Sequence, residues 1–588
     1  MVVIDGGRFA LPSGRTFEGL AGGFVKKNIH GCLGETLLLA WDGRFENFSL
    51  GRTIPVERIE EIGRMGVKHG LGTKHLCSWG EVIPDHVWRR LRRYRRSAAT
   101  PALPYGLKRA FEEGPRHAMQ NHRACLNPFQ ADAYQHYGFE RAIVRAEGAF
   151  LWDSAGKRYD DFVAGHGAVN VGHNAPRVLE AIRRFTEEQR ASLLKSTPGV
   201  LSSALAANLA ALAPGDLQMT FLCNSGAEAV EGALKTARAA TGRSALAYTE
   251  GGYHGKTMGA LSVSSRGAHR TPFEPLLSDC HSVPYGDLEA LESLLSRHAC
   301  AGFIVEPIQG EAGVIVPPDG YLREAAQLCK RHGTLLIVDE IQTGLGRTGA
   351  LFAVAHEGVE PDILTLAKSL GGGVLPIGAF ITRRDIWNRA CGALDRFQAH
   401  TSTFGGNEIS AAVAIATLET LLDERLSERS AQVGARLKAK LEAVQSRHPI
   451  ITEVRGRGLM LGLMFDSSFA SGWDRLIDHV RDHLNPTLDF FWPILTHSLQ
   501  EQVKRLGADF NQFTKDSLPM LSGYLLSSHL IKEHGILTSL LSANSSVLRV
   551  TPPLMVSDEA IDRFVSAIDA LCTAREAHMN GQPFGGAS

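Results

Sequence analysis

The chain has 588 residues, too many for one hydrophobic core, so two or more domains are expected. Lysine plus arginine equal aspartate plus glutamate at 62 each, which excludes a global field drawing nucleic acid or an acidic membrane surface and leaves partners to be argued from local sites. Hydrophobic residues make up 44 %, yet no window approaches the roughly 18 uninterrupted apolar residues of a membrane span.

In chain order, Met-Val-Val-Ile-Asp-Gly-Gly at the N-terminus has neither the basic start nor the apolar segment and cleavage site of a secretory signal. Nine cysteines, an odd number without paired metal-type spacing, suit free thiols in a reducing cytoplasm, so a cytoplasmic protein without a metal site is expected. Residues 1–96 close on the basic run Trp88-Arg-Arg-Leu-Arg-Arg-Tyr-Arg-Arg96, and residues 97–110 read as a linker. A solvated helix face explains that run better than an acidic partner does.

From about residue 140 to 430, short β-rich runs alternate with helical patterns. Gln218-Met-Thr-Phe-Leu222, Gly302-Phe-Ile-Val-Glu306, Thr334-Leu-Leu-Ile-Val-Asp339 and Pro376-Ile-Gly-Ala-Phe-Ile-Thr382 are almost continuously apolar. A parallel sheet covered on both faces requires that pattern, so an α/β core is expected.

The chemistry sits where these runs end. After Leu222 comes Cys223-Asn-Ser-Gly-Ala227, then a helical pattern with Ala229, Val230, Ala233, Leu234 and Ala237 on one face before Gly242. Ser225, Gly226 and Ala227 therefore open a helix, where free N–H groups and the dipole suit a phosphate. Alone, such a turn is more often a packing solution. Lys368, at the edge of a glycine-rich turn and 29 residues after Asp339, changes the balance. Its amine can form an imine with a cofactor aldehyde, and a carboxylate ending a buried strand can hold a pyridine nitrogen protonated. Together they read as a site for pyridoxal 5'-phosphate (PLP). Tyr253 and His254, between glycines, offer an aromatic to stack on a planar cofactor, although an ordinary turn is an equal alternative. Gln342 can donate to the cofactor's phenolic oxygen, and Thr403, beside Gly405 and Gly406, suits either phosphate or a helix cap.

Residues from about 120 to 575 resemble the class III PLP-dependent aminotransferases of ornithine, acetylornithine and 4-aminobutyrate type. The resemblance rests on Asn224-Ser-Gly-Ala-Glu-Ala229, Tyr253-His-Gly255, Val305-Glu-Pro-Ile-Gln-Gly-Glu311, Val338-Asp-Glu-Ile-Gln-Thr-Gly-Leu-Gly-Arg-Thr-Gly349, Leu366-Ala-Lys-Ser369, Thr403-Phe-Gly-Gly-Asn407 and Leu548-Arg-Val-Thr-Pro-Pro-Leu554. It implies PLP-dependent transferase fold type I: a large α/β domain, residues 166–430, with a mixed, mainly parallel seven-stranded sheet. A smaller α+β domain would be built from residues 111–165 and 431–588. It further implies that Lys368 carries the cofactor, Asp339 pairs with the ring nitrogen, Tyr253 and Ile341 cover the ring faces, and Ser225, Gly226 and Ala227 hold phosphate. Thr403 is expected to reach the phosphate of a neighbouring subunit, which makes a homodimer part of the expectation. Arg549 is implied to grip the α-carboxylate of a glutamate-like donor, and Glu311 to mask Arg549 when a substrate without that carboxylate, such as an aldehyde, is bound.

Two departures bear on the acceptor. One is an insertion from about residue 466 to 520, with Trp473, Leu476, Ile477 and Val480 at helical spacing; an extra helical hairpin is the expected form, an apolar lid the alternative. The other is residues 1–96. Val2-Val-Ile-Asp-Gly-Gly7, Gly31-Cys-Leu-Gly-Glu-Thr36 and Trp41-Asp-Gly-Arg-Phe45 resemble the C-terminal end of long-chain acyl-thioester reductases. This segment has no glycine-rich dinucleotide turn and no assignable nucleophile, so it is not expected to reduce thioesters. The combination resembles reductase-aminotransferase proteins of prodiginine and tambjamine pathways, implying a medium- or long-chain aldehyde as acceptor. An ornithine-, acetylornithine- or diamine-type transaminase of primary metabolism is the alternative.

Overall fold

The computed structural model describes residues 105–137, 139–265, 267–466, 526–540 and 546–579, together with four strands between residues 5 and 82 and positions 61, 64 and 103. The basic run at 88–96 and the insertion beyond Asp466 lie outside the described residues. The chain divides into two units, Met1–Arg109 and Ala110–Ser588. In the first, Asp5–Ala10 pairs antiparallel with Asn28–Ile29 and with Gly72–Ser78, which pairs in turn with Glu81–Val82.

The second unit is organised on a seven-stranded sheet. Its strands are β1 (Met219–Cys223), β2 (Ala245–Thr249), β3 (Cys280–Val283), β4 (Cys300–Val305), β5 (Leu335–Asp339), β6 (Ile363–Leu366) and β7 (Gly378–Thr382), in the spatial order β3-β2-β4-β5-β6-β7-β1. Every residue of β2, β4, β5, β6 and β7 is buried, so their apolar runs are continuous rather than alternating. The run at 376–382, read from its composition as a parallel strand, is antiparallel to both neighbours. The connection at 367–377 holds one short 3-10 turn, too little for the crossover that a parallel return needs.

Between β1 and β2 runs the helix Gly226–Thr241, whose face of Ala229, Val230, Ala233, Leu234 and Ala237 is buried. It stops at Gly242, at φ +68°, a left-handed conformation that favours glycine. Two smaller sheets lie outside this core. One has the order Ile451–Arg457, Met460–Phe465, Val547–Val550, Ser539–Leu540; the other joins Ile143–Glu147, Phe150–Asp153 and Arg158–Asp161 to Ile536–Leu537. The long helices Leu426–Arg447 and Asp558–Met579 pack against one another, and the first also lies on Ile451–Arg457.

Candidate active site

A cavity of about 700 Å³ opens at the carboxyl ends of the parallel strands, where α/β sheets place their ligands. Ser225, Gly226, Ala227, Tyr253, His254, Glu311, Asp339, Ile341, Gln342 and Lys368 all line it. Five separate strand ends supply these groups, so residues more than a hundred positions apart meet only because the strands are parallel and adjacent.

Asp339 is the last residue of β5 and is buried. Its Oδ2 accepts from His254 Nδ1 at 2.7 Å, and its Oδ1 accepts from Ile341 N at 3.1 Å and Thr365 Oγ1 at 3.0 Å. The donors fix the carboxylate's orientation. His254 Nε2 is buried without a partner among the described residues.

Lys368 begins the turn Lys368–Gly371 at φ +45°, a left-handed conformation rarely adopted by a residue with a side chain. Burial pushes its amine below the usual lysine range, helped by Arg549 and opposed by Glu311. Lowering the pKa of an amine enlarges its uncharged, nucleophilic fraction.

Ser225 caps the helix Gly226–Thr241, its Oγ accepting from Glu228 N at 3.2 Å. The amides of Gly226 and Ala227, first in the helix, have no intrahelical acceptor. A Cβ at Gly226 would lie 2.8 Å from Ile341 Cδ1, so only glycine keeps this helix start so close to Ile341. An open amide cradle, an oriented carboxylate and a buried amine with a lowered pKa in one cavity fit a phosphorylated pyridine aldehyde.

The substrate-binding pair expected from the sequence is also assembled. Arg549 Nη1 meets Glu311 Oε1 at 2.5 Å, with the arginine side chain fully buried and Glu311 18 % exposed. Arg549 sits in Val547–Val550, paired to Gly462 on one side and Ser539 on the other, so its backbone is fixed by a sheet. Gln342 Nε2 donates to the carbonyl of His166 at 3.2 Å, and its Oε1 packs on Gly310 without a polar partner among the described residues.

Thr403 is not brought into the cavity. It is exposed on the loop preceding the helix Glu408–Asp423, beside Phe404. The loop itself is tied to the phosphate-type turn, because Ser402 Oγ accepts from Asn224 Nδ2 at 3.1 Å and from Gly405 N at 3.0 Å.

Two groups in or beside the cavity were not assigned from sequence. Glu306, one residue past β4, accepts from Tyr253 N at 2.9 Å and Gly310 N at 3.2 Å, and burial pushes its carboxyl up to about 7. A carboxylate directly after a buried apolar run was the available signal. His166, between the cavity-lining Gly165 and Ala168, receives Arg549 Nη2 at Nδ1, 2.5 Å away. Nothing local in the sequence marks it.

Sheet order, strand-end cavity and lysine–carboxylate pair define a PLP-dependent transferase of fold type I. The aminotransferase class-III family model matches residues 131–487, and the chain belongs to that family, whose members depend on PLP. It is 44 % identical over 346 residues to the acetylornithine aminotransferase of Methanopyrus kandleri, covering 58 % of this chain and 84 % of that protein. It is 38 % identical over 562 residues to aminotransferase PigE of a Serratia species, covering 93 % of this chain and 65 % of that protein, so it spans just under two thirds of that relative's length. The crystal structure of ornithine aminotransferase from Toxoplasma gondii superposes with a TM-score of 0.65 at 31 % identity, covering 81 % of this chain and 100 % of that one. Among the described residues, no helix is long and apolar enough to cross a membrane.

Proposed function

We propose that the chain is a cytoplasmic, homodimeric transaminase that moves an amino group from a glutamate-like amino acid to a medium- or long-chain aldehyde, in secondary metabolism of the prodiginine or tambjamine kind. The observation that carries this reading is the Arg549–Glu311 pair, closed at 2.5 Å beside the cavity that holds Lys368 and Asp339. A buried arginine answers a substrate carboxylate, and a movable glutamate masks it when the substrate has none.

Bound in this cavity, PLP supplies an electron sink for a substrate carbon that loses its proton. Asp339, held by His254 Nδ1, keeps the ring nitrogen protonated. The amides of Ser225, Gly226 and Ala227 take the phosphate. Tyr253 and Ile341 would cover the two ring faces, and Gln342 Nε2, which has a second N–H besides the one given to His166, would be the donor to the phenolic oxygen. With PLP in place, Lys368 Nζ would be the base that moves the proton from the substrate carbon. Thr403, exposed on one subunit, completes the phosphate site of the other.

For the acceptor, Val169, Val374, Leu375, Pro376 and Ile377 form an apolar wall of the cavity, suited to an alkyl chain rather than to a second charged end. The likeness to PigE covers 93 % of the chain and therefore reaches into residues 1–96, whereas the likeness to acetylornithine aminotransferase covers 58 %. The ornithine or acetylornithine reading is favoured by the higher identity of that second relative. One assay separates them: with PLP and glutamate, release of 2-oxoglutarate is expected with octanal and longer aldehydes. Activity with ornithine or acetylornithine and none with alkyl aldehydes overturns the acceptor assignment.

A further inference from the structure

Arg549 is held at more than one edge of its guanidinium. Nη1 meets Glu311 Oε1 at 2.5 Å, Nη2 meets His166 Nδ1 at 2.5 Å, and Nη2 also reaches Ser539 Oγ at 3.3 Å. Arginine has donors only. His166 Nδ1 must therefore carry a lone pair, which leaves the ring neutral with its proton on Nε2. Burial and the positive charge of Arg549 both push the imidazole below its usual range, against the weaker pull of Glu311.

The backbone under this ring is unusual. His166 lies at φ +59° between Gly165 at +57° and Gly167 at +83°, in a region where a side chain is costly. Its carbonyl accepts from Gln342 Nε2 at 3.2 Å, three residues beyond Asp339. The ring is thus carried on a strained turn pinned to the turn that follows the strand ending at Asp339. His166 is exposed, so its ring has solvent to turn into without moving that turn.

We propose that His166 is a positioning residue that, together with Glu311, latches Arg549 in the masked state and so sets how readily the site exchanges a carboxylate-bearing donor for a carboxylate-free acceptor. The inference rests on the reading of Arg549 as the donor-carboxylate receiver. A carboxylate bound in the bidentate manner takes two N–H groups of one guanidinium edge. Glu311 releases one terminal nitrogen; the other stays occupied until His166 gives it up. A donor must displace both partners, an aldehyde neither.

The test uses the PLP-loaded full chain and two variants. His166→Gly removes the ring and is compatible with φ +59°. His166→Gln keeps an oxygen that accepts at every pH. Glutarate, a dicarboxylate without an amine, serves as the binding probe in calorimetry, alongside the separate KM values of the glutamate and aldehyde half-reactions. In His166→Gly, glutarate Kd and glutamate KM are expected to fall about ten-fold, the worth of one hydrogen bond to a charged group. The aldehyde KM is expected to rise several-fold, with both kcat values held within two-fold. A purely structural role would worsen both substrates together, and that outcome overturns the proposal, as does an unchanged glutarate Kd.

The pH profile is the second arm, and it decides the matter if His166→Gly does not fold. His166 is the acceptor above its depressed pKa and becomes a donor beside Arg549 below it, so the latch is lost as pH falls. The charged groups facing the ring are Arg549, Glu311, Lys368 and Asp161; all four remain in His166→Gln. Wild-type glutarate binding is expected to tighten relative to His166→Gln only once pH falls below the usual histidine range, because the pKa of the ring is lowered. Parallel profiles overturn the latch. Failure of the underlying reading looks different: Arg549→Met would then leave glutarate Kd unchanged whatever occupies position 166.

Discussion

Among the described residues, Arg347 and Arg549 are each 0 % exposed, and their partners differ in kind. Arg347 Nη1 donates to the carbonyls of Leu459 at 2.9 Å and Pro552 at 2.6 Å, and its Nη2 donates to Asn170 Oδ1 at 2.5 Å. These partners are neutral and fixed, and burial brings the guanidinium down to about 9. Arg549 instead meets a glutamate that lines the cavity and a histidine on a strained turn. Equal burial therefore does not imply equal roles. What separates them is whether the partners can leave: three backbone or amide oxygens cannot, whereas a carboxylate at a cavity wall can exchange for a ligand's carboxylate.

The largest expected effect breaks the fixed member. Arg347→Met keeps most of the volume but strands two carbonyls and an amide oxygen in the interior, a cost of about 3–5 kcal/mol. Chemical denaturation of the holoenzyme measures it. The protein that remains folded should keep its kcat/KM for both substrates. Retained stability with lost activity would put Arg347 in the same class as Arg549 and end the contrast.

Arg549→Met tests the movable member. Its expected signature is a glutamate half-reaction slowed about a hundred-fold, equivalent to about 2.7 kcal/mol, while the aldehyde half-reaction changes only a few-fold. Stability should fall by less than in Arg347→Met, because Glu311 borders the cavity and can be hydrated when it loses its partner. Stopped-flow measurement of each half-reaction decides. Equal losses on both sides would mean that Arg549 is structural too.

How much of this contrast could be read from the chain differs between the two arginines. That Lys368, Asp339 and the Ser225–Gly226–Ala227 turn would meet in one cavity was legible, because each follows an apolar strand run, and strand ends converge in a parallel sheet. The Arg549–Glu311 pair was foreseen through family motifs, not through spacing; 238 positions separate the two residues. Arg347 was quoted inside a motif yet given no role, since its partners are carbonyls of residues 459 and 552 that only the fold brings near. His166 was invisible for the same reason, and its left-handed backbone gives no signal in a histidine. The antiparallel sense of β7 was missed because composition reports burial, not direction.

Glu340 carries the comparison to the acidic side and gives the smallest effect. It follows Asp339 directly, but its side chain lies among fixed partners: Oε2 accepts from Thr343 Oγ1 at 2.6 Å and Oε1 from Val354 N at 2.8 Å. No cation pairs with it among these contacts, and burial pushes its carboxyl up to about 7. A carboxyl whose pKa is raised on folding holds its proton more tightly in the folded state than in the unfolded chain. Between about pH 4.3 and 7 the unfolded state therefore binds fewer protons, and stability falls as pH rises through that window, then levels off. Glu340→Gln removes the titration while keeping one carbonyl oxygen. Relative to wild type, the variant should gain about 2–3 kcal/mol in denaturant stability on going from pH 5 to pH 8. A constant difference between the two proteins across that range would mean that Glu340 is ionised in the fold at neutral pH and therefore has a partner, as Arg549 does, which would place it on the movable side of the contrast.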